Sequence, residues 1–548
     1  MTYLYPYAQN VLPGVETERS GMELAAITQL RDQGLIPEDF PTQLWAAQAE
    51  RYRTYWAWFR GDKLNELQGT SSDGKPVYKY PLKINPVRNF TRKHAALLFG
   101  EVPDTPTPLV KHVVTPKSFG ENPSEADKKQ ALFYQTFLNE VWQGSYGRSV
   151  QYENGLISQF LGGSVFQTQY QPWRNDLLIP LVQKRVFPDF FLPIWSNDDP
   201  WNLLAAYVVY RVPAAAVKLQ WGIDSGDKPY MLYFEHWTRD RYTILLDGKP
   251  LVASFRGTRV NYDNVPNPFG LVPFTYIPRW REGNFYGSTF VEDIDGLILE
   301  YNARFADLGD GVRNNIHRLY VGRNIQNTPR VRQFDNGRSF TDLGHGIPGS
   351  NHEPELKAID APEWTEGFVA TVENIWRQLG RESGLGPIAF GEDEGSQRSA
   401  LTLAFRMWPS TISARAQRVF WTDGLNHIAK TTLTMASKLG LKVKGKVVPE
   451  DFWQGFDFAC DWLPMIPRDR EAQVNEIILR LQAGAISLEK ALQDFGDVPD
   501  VQKEIQQIKA FQQWQAELHA QPAKPGTSAN SGALESTQKP VVRDSLNE

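Results

Sequence analysis

The chain has 548 residues, more than one ordinary hydrophobic core organises, so two or more domains are expected. Its composition, 41% hydrophobic and 22% charged with a mean hydropathy of −0.43, is that of a soluble globular protein, and no stretch reaches the roughly 18 apolar residues of a membrane span. A formal net charge of −5 speaks against a general nucleic-acid coat, and one cysteine, Cys460, excludes an internal disulfide and fits a reducing compartment.

The first stretch, MTYLYPYAQNVLPG, lacks the basic start and continuous apolar segment of a secretory signal. A helix is expected near Met22 to Asp32. A second pattern runs from Pro41 to Leu67 and is dense in aromatics, with Trp45, Tyr52, Tyr55, Trp56, Trp58 and Phe59. NPVRNFTRKHAALLFG reads as another helix that ends at Gly100. After the proline-punctuated loop PDTPTP, residues 124 to 162 read as helical from the Ser124 cap through Phe133, Phe137, Val141 and Trp142. Residues 163 to 280 carry strand signals, such as LLAAYVVYRV and MLYFEHW, separated by turn pairs that include Asp247-Gly248.

The chain then changes character. Over 291 to 311, Ile294, Leu297, Ile298, Tyr301, Phe305 and Leu308 recur at helical spacing, opposite Glu292, Asp295, Glu300, Arg304 and Asp307. Short extended pieces and a glycine-rich segment fill 317 to 362. A second amphipathic helix follows, with Phe368, Val372, Ile375, Trp376 and Leu379. Beyond an acidic loop, a long helix is expected from about Ser399 to Leu439, broken or kinked at Pro409. Residues 468 to 515 are helical again, with a break at Gly484 and a restart capped by Ser487. The last thirty residues are polar and rich in Pro and Ser, a composition expected to stay disordered. The fold class is α+β.

Catalytic signatures are weak. Gly69 to Lys75, GTSSDGK, matches seven positions of a phosphate-binding loop, but Pro76 stands where the motif needs Ser or Thr for magnesium, so a turn is the better reading. His345 and His352-Glu353 fall close together without ligand spacing on a rigid element, so no metal site is assigned. No catalytic residue and no cofactor is assigned. Cys460 reads as a small core hydrophobe. Residues 313 to 338 hold Arg313, Arg318, Arg323, Arg330, Arg332 and Arg338 against one acid, Asp335. Arginines near extended segments suit contact with phosphate or carboxylate; the alternative is a solvated loop whose charges pair locally.

The order of parts carries more than any single motif. RWREGNFYGSTFVEDIDGLILEYNARFAD is followed by a small extended insert and by IWRQLGRESGLG, and then FGEDEGSQRSA leads into a long helix. Near the end stands PRDREAQVNEIILRLQAGAISLEKALQDFG. Over roughly residues 40 to 515 this succession resembles the portal protein of tailed bacteriophages. The resemblance implies a homo-oligomeric ring, usually of twelve subunits, at one vertex of the virion capsid. Double-stranded DNA passes through its channel without sequence specificity during packaging and ejection.

The resemblance also implies an architecture. Residues 1–290 would form the N-terminal region and a mixed α/β wing, 291–316 and 363–385 the two stem helices, and 317–362 a small α/β clip. Residues 386–398 would form the tunnel loop, 399–467 a long wing helix with its connection, 468–515 a helical crown and 516–548 a disordered tail. Such a ring is not an enzyme. The implied partners are the terminase large subunit, a head–tail adaptor, and scaffolding and major capsid proteins; no membrane is involved, and the chain is made in the host cytoplasm.

In the tunnel loop, Glu392, Asp393 and Glu394 would keep a sliding duplex centred by repulsion, because every cation that neutralises a phosphate adds affinity. Gly391 and Gly395 would let the loop shift, and Arg398 could balance charge. Arg318, Arg323, Arg330, Arg332 and Arg338 would meet terminase, adaptor or entering DNA. The apolar stripe of the stem would bury on its own second helix and on the next subunit. An alternative from another class is a multidomain hydrolase, carbohydrate-active, with carboxylates in a Trp-lined cleft; a third is a different oligomeric virion structural protein.

Overall fold

Aromatic residues at helical spacing build the first part of the molecule. The computed structural model describes residues 24–68, 83–100, 108–117, 123–255, 258–283, 285–316, 319–323, 330–333, 339–342, 355–359, 366–390, 400–443, 445–465, 470–495 and 501–520. Helix α1 (Leu24–Asp32) precedes α2 (Thr42–Arg60). The helix expected over 41 to 67 stops earlier, where Gly61 turns left-handed at φ 89° and its N–H caps Ala57 and Trp58; a 3₁₀ turn then covers Asp62–Gln68. After α3 (Val87–Phe99) and strand β1 (Val110–Pro116), the stretch expected as one helix over 124 to 162 is two. Helix α4 (Glu125–Gly144) starts at a Ser124–Asp127 capping box, and Tyr146, at φ 54°, turns the chain into α5 (Gly147–Leu161).

The strand region is as expected. It holds β2 (Gly163–Tyr170), β3 (Leu181–Val186), β4 (Phe191–Trp195), β5 (Leu203–Pro213), α6 (Ala214–Trp221), β6 (Tyr230–Thr238) and β7 (Arg241–Leu246). Short strands β8 (Lys249–Pro250), β9 (Val252–Phe255), β10 (Thr258–Asn261) and β11 (Val265–Pro266) lead to β12 (Phe274–Pro278). Strand β2 lies between β12 and β3, and β11-β7-β6-β5-β4 form a second antiparallel sheet with β8 on β7. The period of two along β5 divides its residues between two cores. Ala206, Val208, Tyr210 and Val212 face the main core shared with α4, whereas Tyr207 and Val209 face Ile27, Phe40 and Trp45 of the N-terminal segment.

Helix α7 (Phe290–Ile316) follows, then β13 (Leu319–Arg323), β14 (Arg330–Gln333), β15 (Ser339–Asp342) and β16 (Glu355–Ile359). The chain returns through α8 (Glu366–Glu382) and the single turn α9 (Pro387–Phe390) to α10 (Ala400–Lys438). Helix α10 runs through Pro409 without the expected break. Phe405 and Pro409 are both exposed, so water can take the carbonyl that the proline leaves without a donor. The pair β17 (Lys442–Val443) and β18 (Lys446–Val447) precedes β19 (Phe456–Trp462), which pairs antiparallel with β1, from Val110 opposite Trp462 to Pro116 opposite Phe456.

Residues 468–548 form a separate unit, the division falling between Pro467 and Arg468. It contains α11 (Arg470–Gln482), α12 (Leu488–Phe495) and α13 (Val501–Ala520). The helix boundary expected at Gly484 is present, with that residue at φ 68°, and Ser487 accepts from the Lys490 N–H at 3.2 Å. Helix α13 continues to Ala520, past the expected start of the tail at 516; the rest of that tail lies outside the described residues.

Candidate functional site

The two amphipathic helices read from the sequence pack on each other. Ile294, Ile298 and Tyr301 of α7 share one core with Val372 and Leu379 of α8, and Leu297, Phe305, Phe368, Ile375 and Trp376 pack against it. The Tyr301 ring lies 5.2 Å from that of Trp376, which in turn meets Phe90 of α3 at 6.2 Å. Ten of the eleven apolar residues singled out on these helices are thus brought together; Leu308 is not among them. The apolar face buries because α2, α3 and α5 supply the opposite wall, through Tyr52, Trp58, Phe90 and Phe160 among others.

Polar anchors that periodicity does not show set the position of α7. Asn302 is fully buried within the apolar stripe. Its Oδ1 accepts from the Ile84 N–H at 2.7 Å, and its Nδ2 donates to the carbonyls of Ile84 (3.0 Å) and Ile298 (2.8 Å). At the helix start, Thr289 Oγ1 accepts from the Val291 N–H at 3.1 Å while Glu292 accepts from the Thr289 N–H at 3.2 Å, a reciprocal cap. The Glu292 carboxylate also accepts from the Tyr55 hydroxyl and stands 3.6 Å from Arg51. Burial, followed by that hydrogen bond, pushes the Tyr55 hydroxyl far above its ordinary value. A shallow cavity of about 220 Å³ is lined by Arg51, Tyr55, Glu292 and Asp295. Its two carboxylates lie one turn apart on α7, and Glu292 is already committed to Tyr55 and Arg51.

A second missed group ties α7 to the sheets. Arg279, just past β12, is buried, donates from Nε to Gln159 Oε1 at 3.0 Å, and lies over the rings of Trp280 and Phe290. Gln159 of α5 donates in turn to Gln417 of α10 at 3.0 Å. Burial pulls the Arg279 guanidinium down to about 10, an effect opposed by Asp293 and other nearby acids. The outer face of α7 is acidic: Glu292, Asp293, Asp295 and Glu300 are exposed, and Arg304 bonds to Glu300 at 2.8 Å and to Asp307 at 3.4 Å.

The arginine-bearing segment forms two small antiparallel pairs. Arg323 stands opposite Glu355 in the β13–β16 ladder; Arg330 and Arg332 occupy alternate positions of β14, opposite Asp342 and Phe340 of β15. Arg318 and Arg338 lie outside the described residues, as do Gly391, Glu392, Asp393, Glu394, Gly395 and Arg398, the segment GTSSDGKP, and His345, His352 and Glu353. Among the described residues there is no cluster of His, Cys, Asp and Glu that could hold a metal ion, and no helix is long and apolar enough to cross a membrane. Burial raises the Cys460 thiol to about 12, which suits a packing role.

Comparison with known proteins points the same way as the order of elements. A search of curated proteins found no match. The family model described as phage portal protein, SPP1 Gp6-like, matches residues 180–517, from the start of β3 through most of α13. That span is more than half of the chain and takes in both packed helices, the strands between them and α10. The chain therefore belongs to the SPP1 Gp6-like phage portal protein family.

Proposed function

We propose that this chain assembles as a ring of about twelve copies at one capsid vertex, giving double-stranded DNA a channel for packaging and ejection. The observation that carries the reading is the helix–insert–helix unit of α7, β13–β16 and α8, inside the family match and followed in the sequence by the acidic stretch Glu392-Asp393-Glu394. In this reading α7 and α8 are the stem, residues 317–362 the clip, 386–398 the tunnel loop and 468–515 the crown. The acidic outer face of α7 and the acids Glu392, Asp393 and Glu394 would then keep a sliding duplex from being held, since each neutralised phosphate adds affinity through counterion release. Arg318, Arg323, Arg330, Arg332 and Arg338 of the clip would dock the terminase large subunit and later the head–tail adaptor. Scaffolding and major capsid proteins are the remaining partners.

The test is negative-stain imaging with native mass measurement of the purified full chain. Rings with a central hole and a mass near twelve copies of 62.4 kDa are expected. A chain that stays monomeric across concentrations overturns the reading. In assembled rings, the triple change Glu392→Gln, Asp393→Asn, Glu394→Gln should alter DNA packaging or retention and leave the ring whole; loss of the ring would show that the loop acts in assembly and not on DNA.

A further inference from the structure

Between β12 and α7 the chain leaves a guanidinium without an acceptor beside an aromatic cleft. Arg281 Nε and Nη2 are enclosed and meet no hydrogen-bond acceptor, and none of the three nitrogens has a hydrogen bond or ion pair among the described residues. Its Cζ lies 5.2 Å from the centre of the Trp201 ring and 5.8 Å from that of Phe285. Arg279, two residues earlier, shows the contrast, since its Nε has Gln159 as acceptor at 3.0 Å. Burial pulls the Arg281 guanidinium below its ordinary value, and Tyr276 and Asp199 offset only part of that. Asp199 Oδ1 is already engaged, accepting the Trp201 N–H at 2.9 Å.

The cleft has a volume of about 610 Å³, and its other walls are Trp195, Pro200, Gly283, Phe285 and Tyr286. That volume lies within the range of small-ligand sites, about 300–1,000 Å³. The aromatic wall is held together by its own packing: Trp195 stacks on Phe285 at 4.2 Å between centroids, and Tyr286 meets Trp195 edge-on at 5.7 Å. Arg281 is the only charged group among the described residues that line the cleft, so the site matches a single negative charge. A phosphate dianion would ask for a second cation and would stand in the field of Asp199, which leaves a carboxylate as the better match. Unmet donors on a charged group cost stability, a cost that binding sites carry and packing sites do not.

We propose that this cleft is a receptor for a carboxylate, bound by Arg281 with the ligand's apolar body laid against Trp195, Phe285 and Tyr286. Nη1 is the nitrogen that is neither enclosed nor bonded, and it is the point of first contact. The flanking rings of Trp201 and Phe285 hold the guanidinium in place, so little side-chain freedom is lost when the ligand arrives. Two carriers of the group have this shape: a free aryl-alkyl acid, and an acidic side chain next to an aromatic one in a peptide. All the named walls belong to the larger unit of one chain, so the inference stands apart from the ring reading.

The experiment is ligand-observed saturation-transfer NMR on the full chain, with 3-phenylpropanoate as probe and its neutral amide as the control. The acid should bind with a Kd of about 1 mM, as suits a ligand of that size, and the amide roughly 10- to 100-fold more weakly. Arg281→Met keeps an unbranched apolar side chain between Trp201 and Phe285 and should lose the acid by the same factor. Its melting midpoint should equal or exceed that of the wild type, because the unmet donors are gone. Asp199→Asn, whose amide oxygen can still accept the Trp201 N–H, should bind the acid more tightly. The peptide acetyl-Glu-Phe-amide separates the two carriers: a tighter hold on the peptide assigns the site to an acidic side chain, a tighter hold on the free acid to a small carboxylate. No binding of either probe by the wild type overturns the proposal, and so does equal binding of acid and amide. Undiminished binding by Arg281→Met, or a midpoint several degrees lower in that variant, would make Arg281 a packing residue and overturn it as well.

Discussion

Acid should unfold this protein well above the pH at which its carboxylates titrate, and His112 shows why. The ring is 1% exposed beneath α4, and the Trp142 indole N–H donates to its Nε2 at 2.9 Å. A nitrogen that accepts cannot also carry a proton, so the imidazole is held neutral, and burial lowers its pKa to about 4. In the unfolded chain the same group titrates near 6.5. Below that value the unfolded state takes up a proton that the folded state refuses. Stability is therefore full above about pH 6.5 and falls as the pH drops toward 4, with a slope near 1.4 kcal/mol per pH unit. At pH 5 the loss from His112 is about 2 kcal/mol. His94, lowered to about 3 by burial and then by Arg279, and His427, lowered to about 4 by burial, act in the same direction. The three together cost about 6 kcal/mol at pH 5, comparable to the whole stability of many domains. Urea unfolding at pH 7.5, 6 and 5 measures this, with His112→Gln as the comparison because the amide oxygen can still accept from Trp142. The variant should lose about 2 kcal/mol less than the wild type between pH 7.5 and 5. Equal losses would refute a neutral buried His112, and histidine C2 deuterium exchange that titrates near pH 6.5 at this residue would do the same.

Three further outcomes follow from the packing around α7. Ile298→Ala removes a fully buried side chain from the α7–α8 core and should destabilise by about 2–5 kcal/mol, read as a lower calorimetric midpoint. Asn302→Ala leaves the Ile84 backbone N–H and C=O without their side-chain partner and should cost about 1–3 kcal/mol, whereas the exposed control Glu300→Ala should stay within roughly 0.5 kcal/mol. Gly287→Ala should abolish soluble expression. That glycine sits at φ 71°, and a Cβ there would lie 2.4 Å from the Gly162 carbonyl oxygen and 2.6 Å from that of Trp280; a folded, soluble variant with an unchanged melting point would contradict it.

What could be read from the sequence was whatever a local period or a cap encodes. The stripe from Ile294 to Phe305 and its counterpart from Phe368 to Leu379 repeat every three to four residues, and both proved to be buried faces of one core. Ser124 and Ser487 announced helix starts because a side-chain oxygen meets the backbone three residues on. The division of one expected helix at Tyr146 escaped, although Gly144 and Gly147 flank it, because the aromatic pattern continues across the turn. Asn302 escaped because a single polar residue in an apolar stripe does not disturb its period; its value comes from Ile84, more than two hundred residues away. The chain Arg279–Gln159–Gln417 joins three distant elements and has no local signature at all. Of the break or kink expected at Pro409, the break is absent: the rule that proline ends a helix presumes that the freed carbonyl must stay dry, and here its surroundings are exposed.

The pairing of β1 with β19 has a consequence for the birth of the molecule. His112 faces Cys460 across a ladder whose two strands are separated by about three-quarters of the larger unit. At translation rates of about 5–20 residues per second, the first strand leaves the ribosome roughly 20–70 seconds before its mate exists. During that interval the edge that β19 will cover has no strand to pair with, and long-range closures of this kind are slow to form in any case. Nascent chains that stop before residue 456 can therefore not complete the large unit, however well their helices form. Only a finished copy can present a settled surface to its neighbours, which guards an oligomeric assembly against the admission of incomplete parts.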